Sequence, residues 1–179
     1  MDQKYYEQYI ASIEGFPKEG IIFRDITPTL ENPEAFQNLI NDLCSLAESY
    51  DFNKIMCADA RGFIVGSPLA FKCGKPLVIA RKPGKLPRPG LKCSYDLEYG
   101  TNTLVISEGS IQKGDKILIV DDLLATGGSA KAMMNMAKEV GATPVACVFY
   151  IELVDLHAKE TLMENYNTPV HSLVKYHGE

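Results

Sequence analysis

The chain is short of most features that would mark a membrane, secreted, zinc-bound or repeat protein. Its 179 residues hold no run of about 18 apolar residues, and Met1-Asp2-Gln3-Lys4-Tyr5-Tyr6 has no basic stretch leading into an apolar one. Neither a membrane span nor a signal peptide is supported, so the expectation is a soluble cytoplasmic protein with no membrane partner. Basic residues are outnumbered, 18 Lys and Arg against 23 Asp and Glu, and the net charge of −5 removes any general attraction for nucleic acid. The five cysteines, Cys44, Cys57, Cys73, Cys93 and Cys147, are odd in number, widely spaced and without a Cys-x-x-Cys pair, which argues against a disulfide framework and a zinc site. They read as small buried hydrophobes, although Cys93 stands near a cationic loop that could lower a thiol pKa. His157, His171 and His177 show no metal spacing. No repeat, low-complexity tract or linker divides the chain, so residues 1–179 are expected to form one domain. Two phosphate motifs are also missing: the P-loop G-x-x-x-x-G-K-[ST], and G-x-G-x-x-G after a first strand.

What is present is an alternation of apolar periods. Tyr5, Tyr6, Tyr9, Ile10 and Ile13 predict a first helix stopped by Gly15 and Pro17, followed by a loop or short extended piece from Gly20 to Pro28. A second helix is expected from Pro33 through Leu46, with Asn32 as its N-cap. Ile55 to Ala58 reads as a strand ending at Asp59. Phe63 to Lys72 reads as a helix with Pro68 placed early in it, and Leu77 to Ala80 as the next strand. Ser94 to Gly100 and Thr103 to Ser107 predict a hairpin turning at Gly100-Thr101-Asn102. Lys116 to Val120 and Val145 to Ile151 have the short, β-branched character of strands buried on both faces. Between them a helix carries Ala130, Met133, Met134, Ala137 and Val140, its methionines read as core packing. A last helix near 155–164 and a strand near 170–174 complete the pattern. The fold class is α/β, a mainly parallel sheet flanked by helices, with sites at the carboxyl ends of strands, where Asp59, Arg81 and Asp121 fall.

The most informative string runs from Val120 to Ala130. An apolar strand meets Asp121 and Asp122, passes through Leu123, Leu124, Ala125, Thr126, Gly127 and Gly128, and enters a helix at Ser129 and Ala130. A glycine-rich turn before a helix can aim several N–H groups and the positive helix end at one oxyanion. Paired carboxylates would repel a polyphosphate but accept well from two vicinal hydroxyls. Hydroxyls beside a phosphate monoester describe ribose 5-phosphate. An ordinary strand-to-helix turn could be written with similar residues. A second string, Arg81 to Lys92, carries Arg81, Lys82, Lys85, Arg88 and Lys92 with no acidic residue among prolines and glycines, which predicts an irregular exposed loop able to trap a highly charged anion.

The string around Asp121 and Gly128 resembles the phosphoribosyl-diphosphate (PRPP) binding signature of the type I phosphoribosyltransferases. The resemblance extends, toward the adenine-using branch of that family, to Phe23-Arg24-Asp25-Ile26-Thr27-Pro28, Ala58-Asp59-Ala60-Arg61-Gly62-Phe63, Arg81-Lys82-Pro83-Gly84-Lys85-Leu86-Pro87 and Ser94-Tyr95-Asp96-Leu97-Glu98-Tyr99-Gly100. It implies the type I phosphoribosyltransferase fold, with an amino-terminal hood near 1–30 and a flap near 81–107. It also implies transfer of a phosphoribosyl group from PRPP to adenine, giving AMP and pyrophosphate in purine salvage.

By the same resemblance, Asp121, Asp122, Ala125, Thr126, Gly127, Gly128 and Ser129 bind PRPP, Ser129 keeping the hydroxyl of the threonine commoner there, and Leu123 and Ala125 complete an apolar pocket for the base. Arg61 belongs to a pyrophosphate loop that often carries a cis peptide, here Asp59–Ala60. Arg81, Lys82 and Lys85 are candidates for pyrophosphate, sometimes reached from a neighbouring subunit, so a homodimer is implied. Ile22, Phe23 and Arg24 match the adenine site, with the ring stacking and main-chain groups reading the purine edge. Glu98 and Tyr99 fall on the flap, Glu98 as a proton donor near the imidazole of the purine. Mg²⁺ is implied, held mainly by PRPP and water rather than protein. Taken without the resemblance, Arg61 could be a structural ion-pair partner, Phe23 simple core, and Glu98 and Tyr99 surface residues of a hairpin. Leu156-His157-Ala158-Lys159-Glu160 departs from the Gly-Arg pairing usual in the family. Another purine, or a PRPP-sensing regulator without catalysis, are the alternatives. The Phe23 to Pro28 string speaks against the first, and the acidic chain with Arg61 and Glu98 retained speaks against the second.

Overall fold

A computed structural model describes residues 2–97 and 100–178. In chain order the elements are α1 (Gln3–Glu7), β1 (Ala11–Glu14), β2 (Ile22–Asp25), α2 (Thr27–Glu31), α3 (Pro33–Ala47), β3 (Lys54–Ala58), α4 (Gly62–Cys73), β4 (Leu77–Ala80), β5 (Gly90–Leu97), β6 (Gly100–Ser107), β7 (Lys116–Leu124), α5 (Gly128–Val140), β8 (Thr143–Leu153), a 3₁₀ turn (Val154–Leu156), α6 (Ala158–Tyr166) and β9 (Val170–Tyr176). Five strands form a sheet in the order β4-β3-β7-β8-β9, every neighbouring pair parallel. β1 pairs antiparallel with β2, and β5 with β6.

Successive residues of the central strand serve opposite faces, as a strand requires. Leu118 and Val120 enter one core with α3, α4 and α1, whereas Ile117 and Ile119 enter a second with α5 and α6. All four are fully buried. Both faces being covered explains why β7 and β8 read as continuous apolar runs. Each large side chain so removed from water contributes about 1.5–3 kcal/mol. The methionines Met133, Met134 and Met136 are core, as their spacing predicts.

Asn32 caps α3 as expected, its side-chain oxygen accepting from the N–H groups of Glu34 and Ala35 at 3.0 Å each. Other expectations are corrected. The first helix ends at Glu7, and Ala11–Glu14 is a strand, because its backbone pairs with Ile22–Asp25 across a loop whose Gly15 and Gly20 both have positive φ. Ile13, counted into the helical stripe, is exposed. The segment 20–28 holds the expected extended piece as β2, but its last residues, Thr27 and Pro28, already begin α2. Pro68 lies in the middle of α4 rather than early in it. Val65, Gly66, Leu69 and Ala70 are buried on both sides of it, and that packing holds the helix despite the missing N–H. Gly100 to Asn102 are strand residues, since Leu97 pairs with Gly100 and Tyr95 with Asn102. Lys92 belongs to β5 rather than to the cationic loop, and β7 continues through both carboxylates to Leu124.

Helix α4 sits unusually close to β3. A Cβ on Gly66 would stand 2.7 Å from both Cβ and Sγ of Cys57. Gly66→Ala is therefore expected to lower unfolding free energy by about 1–3 kcal/mol through overpacking. Denaturant unfolding checks this, and an unchanged midpoint would mean that α4 has room the structure does not give it.

Candidate active site

The carboxyl ends of β3, β4 and β7 meet along one edge of the sheet, and three loops rise from them. From β3 the chain passes through a cis Asp59–Ala60 peptide bond to Arg61 and into α4, as the resemblance implies. From β4 it enters the cationic loop. From β7 it passes Asp121 and Asp122 and turns through Gly127, with φ of 79°, into α5. A side chain there would need the left-handed conformation that glycine takes without penalty, and would also press on Ala158, whose Cβ lies 3.3 Å from the Cβ position. The turn leaves the first N–H groups of a 13-residue helix facing a cavity of about 90 Å³ lined by Tyr95, Asp121 and the run Leu123 to Ala130. Thr126 and Ser129 add hydroxyls to that cradle.

Asp121 and Asp122 are the electrostatic centre of this edge. Asp121 is half-buried and Asp122 buried. The Asp122 N–H donates to Asp121 Oδ1 at 3.0 Å. Burial first, and then the neighbouring Asp122 charge, raise the titration of Asp121 well above the ordinary 3.8. Burial also raises Asp122, with Arg61 acting in the opposite sense. Arg61 Nε stands 2.9 Å from Asp122 Oδ2, near enough for an ion pair yet off the hydrogen-bond line. Among the described residues that oxygen is the buried side-chain acceptor lacking a hydrogen bond. Gly62 makes the approach possible, because a Cβ there would meet Asp121 Oδ1 at 2.6 Å.

Arg61 also faces the amino-terminal strands, its guanidinium carbon 5.2 Å from the centre of the Phe23 ring. Phe16 packs edge-on with the same ring, the two centroids 5.1 Å apart. The strand alternation that points Phe23 at Arg61 sends Arg24 the other way: its guanidinium donates to Ser12 Oγ at 2.6 Å and lies 3.9 Å from the Tyr176 ring. The Arg24 guanidinium is thus turned away from Arg61. Ile22 is half-buried beside Phe23, and Leu123 and Ala125 are half-buried at the cradle.

The basic loop divides by role. Arg81 bonds Val105 through its backbone in both directions, its Nε donates to Asp59 Oδ2 at 3.1 Å, and its Nη1 donates to the Lys85 carbonyl. Its guanidinium therefore organises the loop beside the Asp59 turn. Lys82 and Lys85 are exposed. Glu98 and Tyr99 lie outside the described residues. Tyr95, to which the sequence reading gave no role, donates to or accepts from Ser129 Oγ at 3.2 Å and so roofs the cradle. The signal was available in strand alternation, which puts Leu91, Cys93 and Tyr95 on the face packed toward α5. The Cys93 thiol is raised rather than lowered, by burial foremost and with Glu139 adding to it, so the cationic loop does not activate it.

The raised carboxyl of Asp121 has a sign that can be tested. The folded chain holds this proton more tightly than the unfolded chain, so stability falls as pH rises above about 4, where the unfolded carboxyl ionises, and the loss is complete once pH passes the folded value. Asp121→Asn keeps the shape and removes the charge. It is expected to raise the thermal midpoint of the ligand-free chain at neutral pH and to flatten that decline. A variant less stable than the parent at neutral pH would mean that Asp121 is held by its donors rather than strained by its neighbour.

Comparison with known proteins agrees with this geometry. The family model described as phosphoribosyl transferase domain matches residues 30–173. Adenine phosphoribosyltransferase of Lactobacillus acidophilus is 44% identical over 173 residues, 97% of each chain. The crystal structure of adenine phosphoribosyltransferase from Thermoanaerobacter pseudethanolicus superposes with a TM-score of 0.93 at 38% identity, covering 98% of this chain and 100% of that one. The Saccharomyces cerevisiae enzyme, solved with an imino-altritol bisphosphate and adenine, gives 0.86 at 33% identity, covering 96% and 98%. With its cradle, paired carboxylates and Arg61 turn arranged on a parallel sheet, this chain belongs to the phosphoribosyltransferase family, and its relatives there are adenine phosphoribosyltransferases.

Proposed function

We propose that the chain transfers the 5-phosphoribosyl group of PRPP to adenine, releasing AMP and pyrophosphate as a step of purine salvage. The observation that carries this reading is Arg61, which touches both the Phe23 ring and Asp122 and so joins a base site, a diphosphate turn and a ribose site at one edge. The ribose 5-phosphate sits in the turn Ala125 to Ser129, on backbone N–H groups and the helix end. Asp121 and Asp122 accept from the two ribose hydroxyls. In the free protein Arg61 neutralises Asp122. When the diphosphate arrives, the guanidinium turns to its oxygens, and the released carboxylate takes a hydroxyl in exchange. Lys82 and Lys85, exposed on the loop beside this turn, add charge to the leaving pyrophosphate.

Adenine stacks on Phe23, and the backbone of Ile22 and Arg24 reads its edge: a carbonyl accepts from the exocyclic amine and an N–H donates to N1. In the transfer the bond from C1′ to the diphosphate breaks, the bond from C1′ to N9 forms, and the N9 proton leaves. Glu98 handles the proton on the imidazole, and Tyr99 closes with it over the site, residues 1–30 and 81–107 acting as hood and flap. Mg²⁺ would be bound together with PRPP. Two adjacent carboxylates, one already paired with Arg61, would suit a cation bound mainly through PRPP and water. When bound, the cation offsets the charge of the diphosphate. A homodimer is supported by the apolar Ile64 of α4 and Ile79 of the edge strand, both exposed. A cytoplasmic setting is supported by five free cysteines.

Purified protein with PRPP and Mg²⁺ is expected to release pyrophosphate with adenine, and not with hypoxanthine, guanine, xanthine or orotate. Release with another base would overturn the base assignment and keep the PRPP site, whereas tight PRPP binding without release would make the chain a sensor. Phe23→Ala is expected to raise the KM for adenine roughly tenfold while leaving the KM for PRPP within about twofold. Equal changes in both would remove the ring from the base site.

A further inference from the structure

Away from the sheet edge, two thiols that the sequence separates are in contact. Cys44, on α3, and Cys73, the last residue of α4, have their sulfurs 3.3 Å apart. Cys44 is buried and Cys73 half-buried, in a helix end where Phe71, Lys72, Gly74 and Lys75 are exposed. One turn beyond Cys44, the exposed Glu48 accepts the Cys44 thiol hydrogen at 3.6 Å. The other cysteines have different neighbours: Cys57 lies under Gly66, Cys147 beside the Met134 sulfur, and Cys93 bonds the Ser94 carbonyl. One accessible thiol, one inner thiol in contact with it and one carboxylate on the inner thiol form an arrangement that the reaction at the sheet edge does not use.

We propose that Cys73, Cys44 and Glu48 form an oxidation site at which a peroxide converts the two thiols into a reversible disulfide. The Cys73 sulfur attacks one peroxide oxygen, the O–O bond breaks, and the thiol proton leaves with the other oxygen as water, leaving a sulfenic acid. The Cys44 sulfur then attacks the sulfenic sulfur. The S–O bond breaks, the S–S bond forms, and the Cys44 proton, passed through the Glu48 carboxylate, joins the departing hydroxide as a second water. Two thiols lose two electrons, and one hydrogen peroxide becomes two waters. The order of the thiols follows from their surroundings. Burial first, with the Cys73 contact, pushes the Cys44 thiol up to about 12, so it stays protonated at neutral pH and needs an acceptor before it can attack. Closing from 3.3 Å to a bond of about 2.05 Å takes a small side-chain movement. The link ties the end of α3 to the end of α4 and encloses β3 and the Arg61 turn, and it forms whatever base the enzyme uses.

The full chain is treated with hydrogen peroxide, quenched by alkylation, digested and mapped by mass spectrometry. The expected product is a Cys44–Cys73 linked peptide with two of the five thiols lost, a mass decrease of about 2 Da, and full recovery with dithiothreitol. In Cys44→Ser the sulfenic acid is expected to persist at Cys73 and to be trapped by dimedone. In Glu48→Gln trapping at Cys73 is expected to start at the parental rate, with the disulfide forming roughly tenfold more slowly. Loss of thiols without this link, a link between other cysteines, or dimedone labelling at Cys93 in place of Cys73 would overturn the site. An unchanged disulfide rate in Glu48→Gln would overturn the part given to the carboxylate.

Discussion

Two adjacent carboxylates at the end of the central strand, where helices cover both faces of the sheet, impose the constraint to which the surrounding architecture answers. Asp121 and Asp122 are raised by burial, and a fold that simply enclosed them would be penalised by their charge. The neighbouring strand supplies the compensation. β3 ends so that Arg61 stands at the start of α4 with its Nε on Asp122, and Gly62 follows it because any side chain there would strike Asp121. Gly66 one turn later keeps α4 down on β3, so the same glycine spacing that packs the helix also delivers the guanidinium. On the other side, Gly127 lets the chain turn sharply enough for α5 to aim its free N–H groups into the cradle.

The site is consequently balanced without ligand, and that balance is of the kind a reaction can exploit. Under the proposed reaction, the buried Asp122 oxygen, whose close partner is an ion pair off the hydrogen-bond line, would exchange that partner for a hydroxyl as the guanidinium turns to a phosphate. The exchange requires no loss of net pairing. Arg81 is arranged differently, held by Asp59, Lys85 and Val105, and serves to fix the loop that carries the exposed lysines. Under the same proposal, stability and function pull in opposite directions at Asp121, where the charge that would suit ribose hydroxyls is the one that burial disfavours.

Elements whose cause is local were legible in the chain. Asn32 before Pro33 announced its helix because a cap acts on N–H groups two and three residues away. The apolar runs of β7 and β8 and the methionines of α5 were legible because burial on both faces leaves a continuous mark. The cis peptide at Asp59 was anticipated from resemblance alone, with no local signal behind it. Where the reading failed, a distant partner decided. Ile13 continues the helical stripe of Tyr5 to Ile10, yet Ala11–Glu14 is a strand, since Ile22–Asp25 offers it backbone groups. Pro68 does not break α4 because tertiary packing holds both sides. The hairpin turn was misplaced because register, not the glycine at 100, sets which residues pair.

Chemistry that depends on neighbours along the chain is written in the residues alone: a carboxylate pair feeding a glycine turn, a cationic loop without acids, an alternation that makes a parallel sheet. Such features are contiguous, so composition and spacing carry them. Packing in three dimensions is what makes Arg61 face both Phe23 and Asp122, turns Arg24 away to Ser12 and Tyr176, brings Tyr95 to Ser129 and sets Cys44 against Cys73. Each of these joins residues on different elements, and the distance between them is set by how closely helices lie on the sheet and by strand register, quantities that no single stretch of sequence contains.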